Sequence, residues 1–88
     1  MLFAVPWTFA PENRDAANER FLASGGPPPE GVTMLGRWHT LGEGEGFCIC
    51  ETSNPVALGK WMMQWSDLLE FRISPVVDDQ GALQMLSS

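Results

Sequence analysis

Residues 32–52, VTMLGRWHTLGEGEGFCICET, decide the fold of this chain. Two strand-like runs, 32–41 and 47–52, flank the loop 42–46, in which three glycines alternate with two glutamates. A glycine-rich loop between two such runs predicts an antiparallel β-hairpin. A phosphate-binding loop is not predicted, because such a loop opens a helix and carries a lysine that is missing here.

Further elements surround the hairpin on both sides. Apolar residues alternate along residues 2–9, which indicates a strand, and a helix follows over residues 12–24 up to the pair Gly25-Gly26. Asn54-Pro55 starts a second helix with an apolar stripe, and residues 69–77 alternate again. This order predicts an α+β, ferredoxin-like β-α-β-β-α-β fold, a four-stranded antiparallel sheet with two helices on one face.

The length of the chain sets its domain organisation. Eighty-eight residues with 44% hydrophobic content are enough for one core. We expect a single ferredoxin-like domain over residues 1–78 and a C-terminal tail over residues 79–88 that forms a short helix or frays. A domain of this size has a thin stability margin, so the prediction includes a homodimer.

The charge of the chain excludes two classes of partner. Eleven acidic against five basic residues give a net charge of −6, and the bases are scattered along the sequence. Neither nucleic acid nor an anionic membrane is therefore expected as a partner, because both are bound by clustered cations. The first residues contain no basic leader and no long apolar segment, so we predict a cytoplasmic protein.

Alternation along the hairpin groups its side chains on two faces. If residue 40 pairs with residue 47, His39 lies directly opposite Cys48. We expect the bulky set to face the helices and the polar set to lie on the uncovered face of the sheet, with both cysteines as free thiols. The bulky set is Gly36, Trp38, Thr40, Phe47, Ile49 and Glu51, and the polar set includes Arg37, His39, Cys48 and Cys50.

The polar set is the predicted site for a small-molecule ligand. Together with Trp7, these residues are expected to line a cavity between two sheets of a dimer. His39 is the candidate catalytic residue, because imidazole transfers protons near neutral pH, and Arg37 suits a carboxylate or an enolate oxygen. The alternative is a purely structural or interaction dimer without a catalytic site.

A metal centre is a further hypothesis for the same residues. His39, Cys48 and Cys50 are ligand types that suit zinc, but a fourth ligand is not evident. The sequence therefore predicts no metal site. It also contains no cofactor-binding motif, so no cofactor is predicted.

Several stretches of the sequence follow the pattern of a known family. They are Trp7-Thr8-Phe9, Asn13-Arg14-Asp15-Ala16, Glu19-Arg20-Phe21-Leu22, Gly25-Gly26-Pro27-Pro28-Pro29-Glu30-Gly31, Leu35-Gly36-Arg37-Trp38-His39 and Gln64-Trp65-Ser66-Asp67-Leu68-Leu69. In these stretches the chain resembles the DUF3303 family, and the resemblance covers about residues 1–78. The resemblance implies a small protein without an assigned activity, and a fold of the dimeric α/β-barrel superfamily, in which two ferredoxin-like sheets pack face to face. Some members of that superfamily are cofactor-independent monooxygenases and some bind haem, but the resemblance carries no catalytic residue over to this chain.

Overall fold

The computed structural model describes residues 1–42 and 44–87. Within them the chain forms an α+β structure of five strands and three helices. The strands are β1 (Leu2–Thr8), β2 (Thr33–His39), β3 (Glu45–Glu51), β4 (Glu70–Phe71) and β5 (Ser74–Val76), and the helices are α1 (Arg14–Ser24), α2 (Pro55–Met63) and α3 (Asp79–Leu86). The predictions that concern Glu43 of the hairpin loop and Ser88 of the tail lie outside the described residues.

The strands form one antiparallel sheet in the order β2, β3, β1, β4, and β5 pairs with the same edge of β1 as β4 does. This arrangement is compatible with the predicted ferredoxin-like fold. It differs from the prediction in having five strands, because the expected last strand over residues 69–77 is divided into β4 and β5.

Pro6 explains that division. β5 pairs with residues 2–4 of β1 and β4 pairs with residues 7 and 8, so the ladder is interrupted beside Pro6. The Pro6 carbonyl still accepts a hydrogen bond from the backbone N–H of Arg72, at 3.1 Å. Pro6 has no backbone N–H to donate a second hydrogen bond to the neighbouring strand, so regular pairing cannot continue past it.

Thr52 and Asn54 fix the start of α2. The side chain of Asn54 accepts a hydrogen bond from the N–H of Ala57 at 3.2 Å, and Pro55 occupies the first helical position. The buried Thr52 hydroxyl donates to the Gly31 carbonyl at 2.6 Å and accepts from the N–H of Asn54 at 2.9 Å. These bonds join the end of β3, the start of α2 and the proline-rich connector before β2.

The core lies between one face of the sheet and the helices. Val5 and Cys50 are fully buried on the sheet side, and Leu58 and Trp61 of α2 pack against them. The prediction that the bulky hairpin residues face the helices is therefore wrong. Cys48 and Cys50 lie under the helices, whereas the bulky Trp38 and Phe47 are exposed on the opposite face.

The volume of the helix side chains gives the physical reason. α2 and the turn after it bring Trp61, Met62 and Trp65 into the core. A close-packed layer that receives such large side chains has room for small ones opposite, and the sheet supplies two cysteines there. Interior cysteine behaves as a small hydrophobic residue and is among the residue types most often buried.

The opposite face of the sheet, called the open face here, carries mainly apolar side chains. The ring of Trp38 stacks on Phe47, with a centroid distance of 5.2 Å and an interplanar angle of 29°. Gly36 makes this possible, because a Cβ at that position would collide with the Trp38 ring. Leu2, Ala4, Pro6 and Ile49 lie beside this pair on the open face, and Thr8, Glu45, Glu51 and Glu70 lie on the same face towards its ends.

Helix α3 packs little against the rest of the single chain. Its N-cap is Asp78, whose carboxylate accepts from the N–H of Gly81 at 2.9 Å. None of the residues of α3 is buried, and Leu83, Met85 and Leu86 are largely exposed. Among the described residues, no helix has the length and apolar character that are needed to cross a membrane.

Candidate functional site

A cavity of about 90 Å³ lies between the sheet and the helices. Six of its fifteen lining residues carry a phenyl or indole ring: Trp7, Phe9, Phe21, Trp61, Trp65 and Phe71. Polar atoms come from a small group of residues, which are Asn18, Arg37, His39 and Cys48. An apolar wall with a few converging polar groups is typical of a small-molecule site.

Four of the five predicted ligand-binding residues line this pocket: Trp7, Arg37, His39 and Cys48. Cys50 is not part of the lining and lies in the core directly behind it. The structure thus brings the predicted residues together, but on the helix-covered face of the sheet. The expected cavity between two sheets cannot be lined by them, because their side chains point away from the open face.

The hairpin register also differs from the expected one. Phe47 pairs with Trp38 instead of Thr40, and an irregularity at Leu35 offsets the strands near Met34. A shift by two residues preserves which side chains share a face, so the predicted grouping persists. The predicted opposition of His39 and Cys48 is wrong, since Arg37 lies opposite Cys48 and His39 lies opposite Gly46.

Arg37 is held at the rim of the pocket by the chain that follows α1. Its Nη1 donates to the Gly26 carbonyl at 2.7 Å, and its Nη2 donates to the Gly25 carbonyl at 2.8 Å. Both glycines have positive φ angles, 74° and 52°, and this conformation turns their carbonyl groups towards the guanidinium. The guanidinium carbon also lies 5.0 Å from the centre of the Phe21 ring. These contacts fix the position of a cation beside the cavity.

His39 lies at the mouth of the pocket, where its residue is exposed to solvent. Its ring centre is 5.6 Å from the Trp7 ring in an edge-on arrangement and 5.3 Å from the Phe21 ring. Arg37 and His39 are two residues apart on one strand, which puts their Cα atoms about 6.7 Å apart. One small ligand can therefore contact both side chains.

Gly46 makes room for Trp7 in the wall. The two residues are paired between β3 and β1, and the indole ring lies directly over the glycine. A Cβ at position 46 would collide with this ring and would come within 2.6 Å of the Trp38 carbonyl oxygen. The glycine thus determines how far the Trp7 ring withdraws from the cavity.

The two cysteine thiols form a buried pair, with their sulfur atoms 3.6 Å apart. Burial, followed by the neighbouring Cys50, raises the pKa of the Cys48 thiol from 9.0 to about 12. Burial also raises the pKa of Cys50. A thiol that stays protonated at neutral pH is a poor nucleophile and a poor metal ligand. No cluster of three metal-binding side chains occurs among residues 1–42 and 44–87.

These raised pKa values predict a loss of stability in alkaline solution. The Cys48 thiol ionises near pH 9.0 when the chain is unfolded and near pH 12 when it is folded, so its contribution is complete below pH 9 and is lost between these values. The free energy of unfolding should fall there by up to about 1.4 kcal/mol per pH unit for this thiol. Chemical denaturation at pH 8, 9 and 10 measures the slope.

Cys48→Ala serves as the control for this prediction. The variant loses stability at every pH because it leaves a small cavity, but its decline above pH 9 should be shallower than that of the wild type. Equal slopes for the two proteins would show that the Cys48 thiol does not titrate in this range.

Arg20 and Asp67 form an exposed ion pair that does not belong to the lining of the pocket. The guanidinium of Arg20 makes two hydrogen bonds of 2.8 Å to the Asp67 carboxylate and one of 2.9 Å to the Gln64 carbonyl. These hydrogen bonds hold the pKa of Asp67 below its ordinary value. Arg20 also lies 5.4 Å from the centre of the Trp65 ring, which lines the cavity. The pair fixes α1 against the turn after α2.

Several wall residues were not predicted as site residues from the sequence. Phe21, Trp61 and Trp65 lie on the apolar stripes of their helical segments, a spacing that is typical of core residues. Trp61 and Trp65 are buried in the core, and they also border the cavity. The pair of tryptophans one turn apart was the available signal, and it predicts packing and a pocket wall equally well.

Comparisons with known proteins agree with the observed fold and add no reaction. A family model described as "Domain of unknown function (DUF3303)" matches residues 1–88. Among solved structures, the chain is similar to that of Rv0793 from Mycobacterium tuberculosis, with a TM-score of 0.52 and 14% sequence identity over 90% of this chain and 98% of that chain. No curated protein matches the sequence. A likeness at this level of identity shows the fold alone.

Proposed function

Since the chain belongs to the DUF3303 family, a domain of unknown function, we propose from its geometry that it binds a small molecule between the sheet and the helices. The observation that carries this proposal is the cavity of about 90 Å³ with Arg37 and His39 at its rim. The Gly25 and Gly26 carbonyls hold the Arg37 guanidinium beside the cavity, and His39 lies next to it on the same strand. An apolar cavity bordered by a cation and an imidazole is the arrangement that an anionic or polar ligand can use.

The size of the cavity limits the enclosed part of the ligand. An engineered protein cavity of about 150 Å³ holds one benzene molecule. The present cavity is smaller and open at its mouth, so the enclosed part is a group of a few heavy atoms. The remainder of a larger ligand would extend past His39 into solvent.

A proton transfer at this site would use His39. The ring is solvent-accessible, is oriented by two aromatic neighbours and lies one strand repeat from Arg37. An enolate or carboxylate oxygen bound by Arg37 would therefore lie near a group that can take or give a proton. His39→Ala should leave binding within a few-fold of the wild type and abolish any turnover that depends on this proton transfer.

A thermal shift screen of small metabolites tests the binding proposal. A compound that binds the folded state alone raises its stability by about 2.7 kcal/mol at a hundred times its Kd, which shifts the midpoint of a chain of this size by about 10 °C or more. Hits should disappear in a variant in which the cavity is filled, such as Ala17→Leu. The absence of any hit from a broad panel would contradict the proposal.

Homodimerisation through the open face is the second part of the proposal. The centre of this face is uncharged and apolar, and it exposes the stacked pair Trp38 and Phe47. In a two-fold interface each surface patch packs against the same patch of the other copy. The chain carries a charge of −6, but the centre of this patch is uncharged, so two copies can meet there without repulsion between like charges. A second copy of this chain is therefore the partner that suits the face.

The area of the open face is of the order that a stable dimer needs. Three strands of seven residues, with β4 and β5 along the edge of β1, have a footprint of about 450 Å², and projecting side chains enlarge the accessible area. A standard interface buries about 800 Å² on each partner. The exposed apolar residues of α3, Leu83 and Leu86, are available to supply part of the difference. An interaction dimer of this kind would form with or without a ligand in the pocket.

A further inference from the structure

We infer that the ligand of the pocket is a small planar carboxylate, such as a conjugated or 2-oxo acid, whose carboxylate is bound by Arg37. This inference rests on the proposed binding function, and it adds the chemical class of the ligand. It draws on the charge of the wall, the shape of the wall and the free donors of Arg37.

The charge of the pocket wall is opposite to that of the chain. Eleven of the residues are acidic, yet no described residue in the lining is an Asp or a Glu. Arg37 is the one permanently charged side chain among the described residues of the wall. A cationic ligand would meet this guanidinium without a compensating carboxylate, whereas an anion would form a charge-assisted pair with it.

Arg37 keeps donors for a ligand in the observed arrangement. A guanidinium has five N–H donors, and Arg37 uses one on each of the Gly25 and Gly26 carbonyls. The backbone carbonyls orient the group but do not neutralise its charge, and the described residues give it no carboxylate partner within ion-pair distance. The remaining donors match the two oxygens of a carboxylate.

The shape of the wall selects flat groups. Trp7, Phe21 and Phe71 present aromatic rings to a cavity of about 90 Å³. Planar conjugated groups stack on such rings with little loss of internal freedom. A tetrahedral anion such as phosphate does not suit flat apolar walls, and a chain of several saturated carbons would have to lose torsional freedom to fit.

Three matched probes test the inference: crotonate, crotonamide and butyrate. Crotonate is planar and anionic, crotonamide has the same shape without the charge, and butyrate has the charge without the rigid plane. Ligands of about six heavy atoms bind weakly, so the titrations should extend to tens of millimolar at constant ionic strength. We expect crotonate to bind about 30-fold more tightly than crotonamide, which is the usual effect of a hydrogen-bonded charge pair. Butyrate should fall between the two.

Variants at position 37 complete the test. Arg37→Gln should reduce crotonate affinity to that of crotonamide and leave crotonamide unchanged, and Arg37→Lys should recover part of the loss. Far-ultraviolet circular dichroism checks that each variant is folded. If Arg37→Gln does not fold, the test rests on Arg37→Lys and on the affinities of the wild type for the three probes.

The possible results separate the inference from the function on which it rests. Equal affinity for crotonate and crotonamide, or unchanged crotonate binding in Arg37→Gln, would overturn the carboxylate class. Hits in the metabolite screen that are all neutral would also overturn it, while the proposed binding function would stand. A screen without hits together with three silent probes would remove both.

Discussion

Replacing Gly46 by Ala should lower the free energy of unfolding by about 3 kcal/mol, at the upper end of the usual cost of overpacking a core. The added methyl group would collide with the Trp7 ring on the inner face and with the Trp38 carbonyl oxygen on the neighbouring strand. Neither obstacle is the end of a flexible side chain, so the strands must separate or the indole must move into the cavity. Urea denaturation of the two proteins measures the difference.

Gly59→Ala is the matched control for this substitution. Gly59 lies inside α2, and a Cβ there meets no atom within 4 Å. Alanine favours a helix over glycine by about 0.5–1 kcal/mol, so this variant should be more stable than the wild type. Equal effects of the two substitutions would contradict the close contact between Gly46 and Trp7. If Gly46→Ala moves the indole inwards, its affinity for any ligand of the pocket should also fall.

Replacing Trp38 and Phe47 together by Asp should convert the proposed homodimer to a monomer. Truncating a central aromatic residue of an interface typically costs at least about 2 kcal/mol, so the double variant should weaken dimerisation by at least about 100-fold. Two new carboxylates on each copy add repulsion across the two-fold axis. Sedimentation equilibrium over a wide range of concentration measures both proteins.

Met63→Glu is the control for the interface prediction. Met63 is an exposed apolar residue like Trp38 and Phe47, and more exposed than either, but it lies on α2 on the other side of the sheet. Its replacement removes an exposed apolar side chain without touching the open face, so the association constant should not change. A wild-type chain that sediments as a monomer at all concentrations would contradict the dimer, and so would a double variant that associates like the wild type.

The order of the elements could be read from the sequence because each signal was local. The alternation in the strands, the Asn54-Pro55 start of α2 and the Gly25-Gly26 end of α1 all lie where the structure has them. The division of the last strand was less accessible. It depends on Pro6, which lies more than sixty residues away in sequence. Pro6 has no N–H to donate to the strand that pairs with it.

The face of the hairpin that meets the helices could not be read from the hairpin alone. Alternation shows that Arg37 and Cys48 share a face, and the structure agrees. Which face is covered depends on how much volume α2 brings with Trp61 and Met62, and this is a property of two distant segments together. The buried preference of cysteine was a usable signal, and it pointed to the correct face.

The sequence grouped four of the residues that line the cavity, Trp7, Arg37, His39 and Cys48, but it placed the cavity on the wrong face of the sheet. Arg37 and His39 were singled out for their chemistry, and the structure places both at the pocket rim. The hydrogen-bond acceptors that hold Arg37 could not be predicted from the sequence, because they are the backbone carbonyls of Gly25 and Gly26 in a connector. Every residue has a backbone carbonyl, so the residue types do not indicate which carbonyl will accept a hydrogen bond from a side chain. Such contacts are seen in the folded structure.

The four tryptophan side chains provide the most direct test of a ligand site on the helix-covered face. Trp7, Trp61 and Trp65 border the cavity, whereas Trp38 lies on the open face, and single Trp→Phe variants assign the four indole N–H signals in a nitrogen-15 NMR spectrum. On titration with a hit from the metabolite screen, the three cavity signals should shift and saturate together, with the Trp38 signal unchanged at fixed protein concentration. Saturable shifts confined to Trp38, with the other three indole signals unmoved, would contradict a binding site between the sheet and the helices.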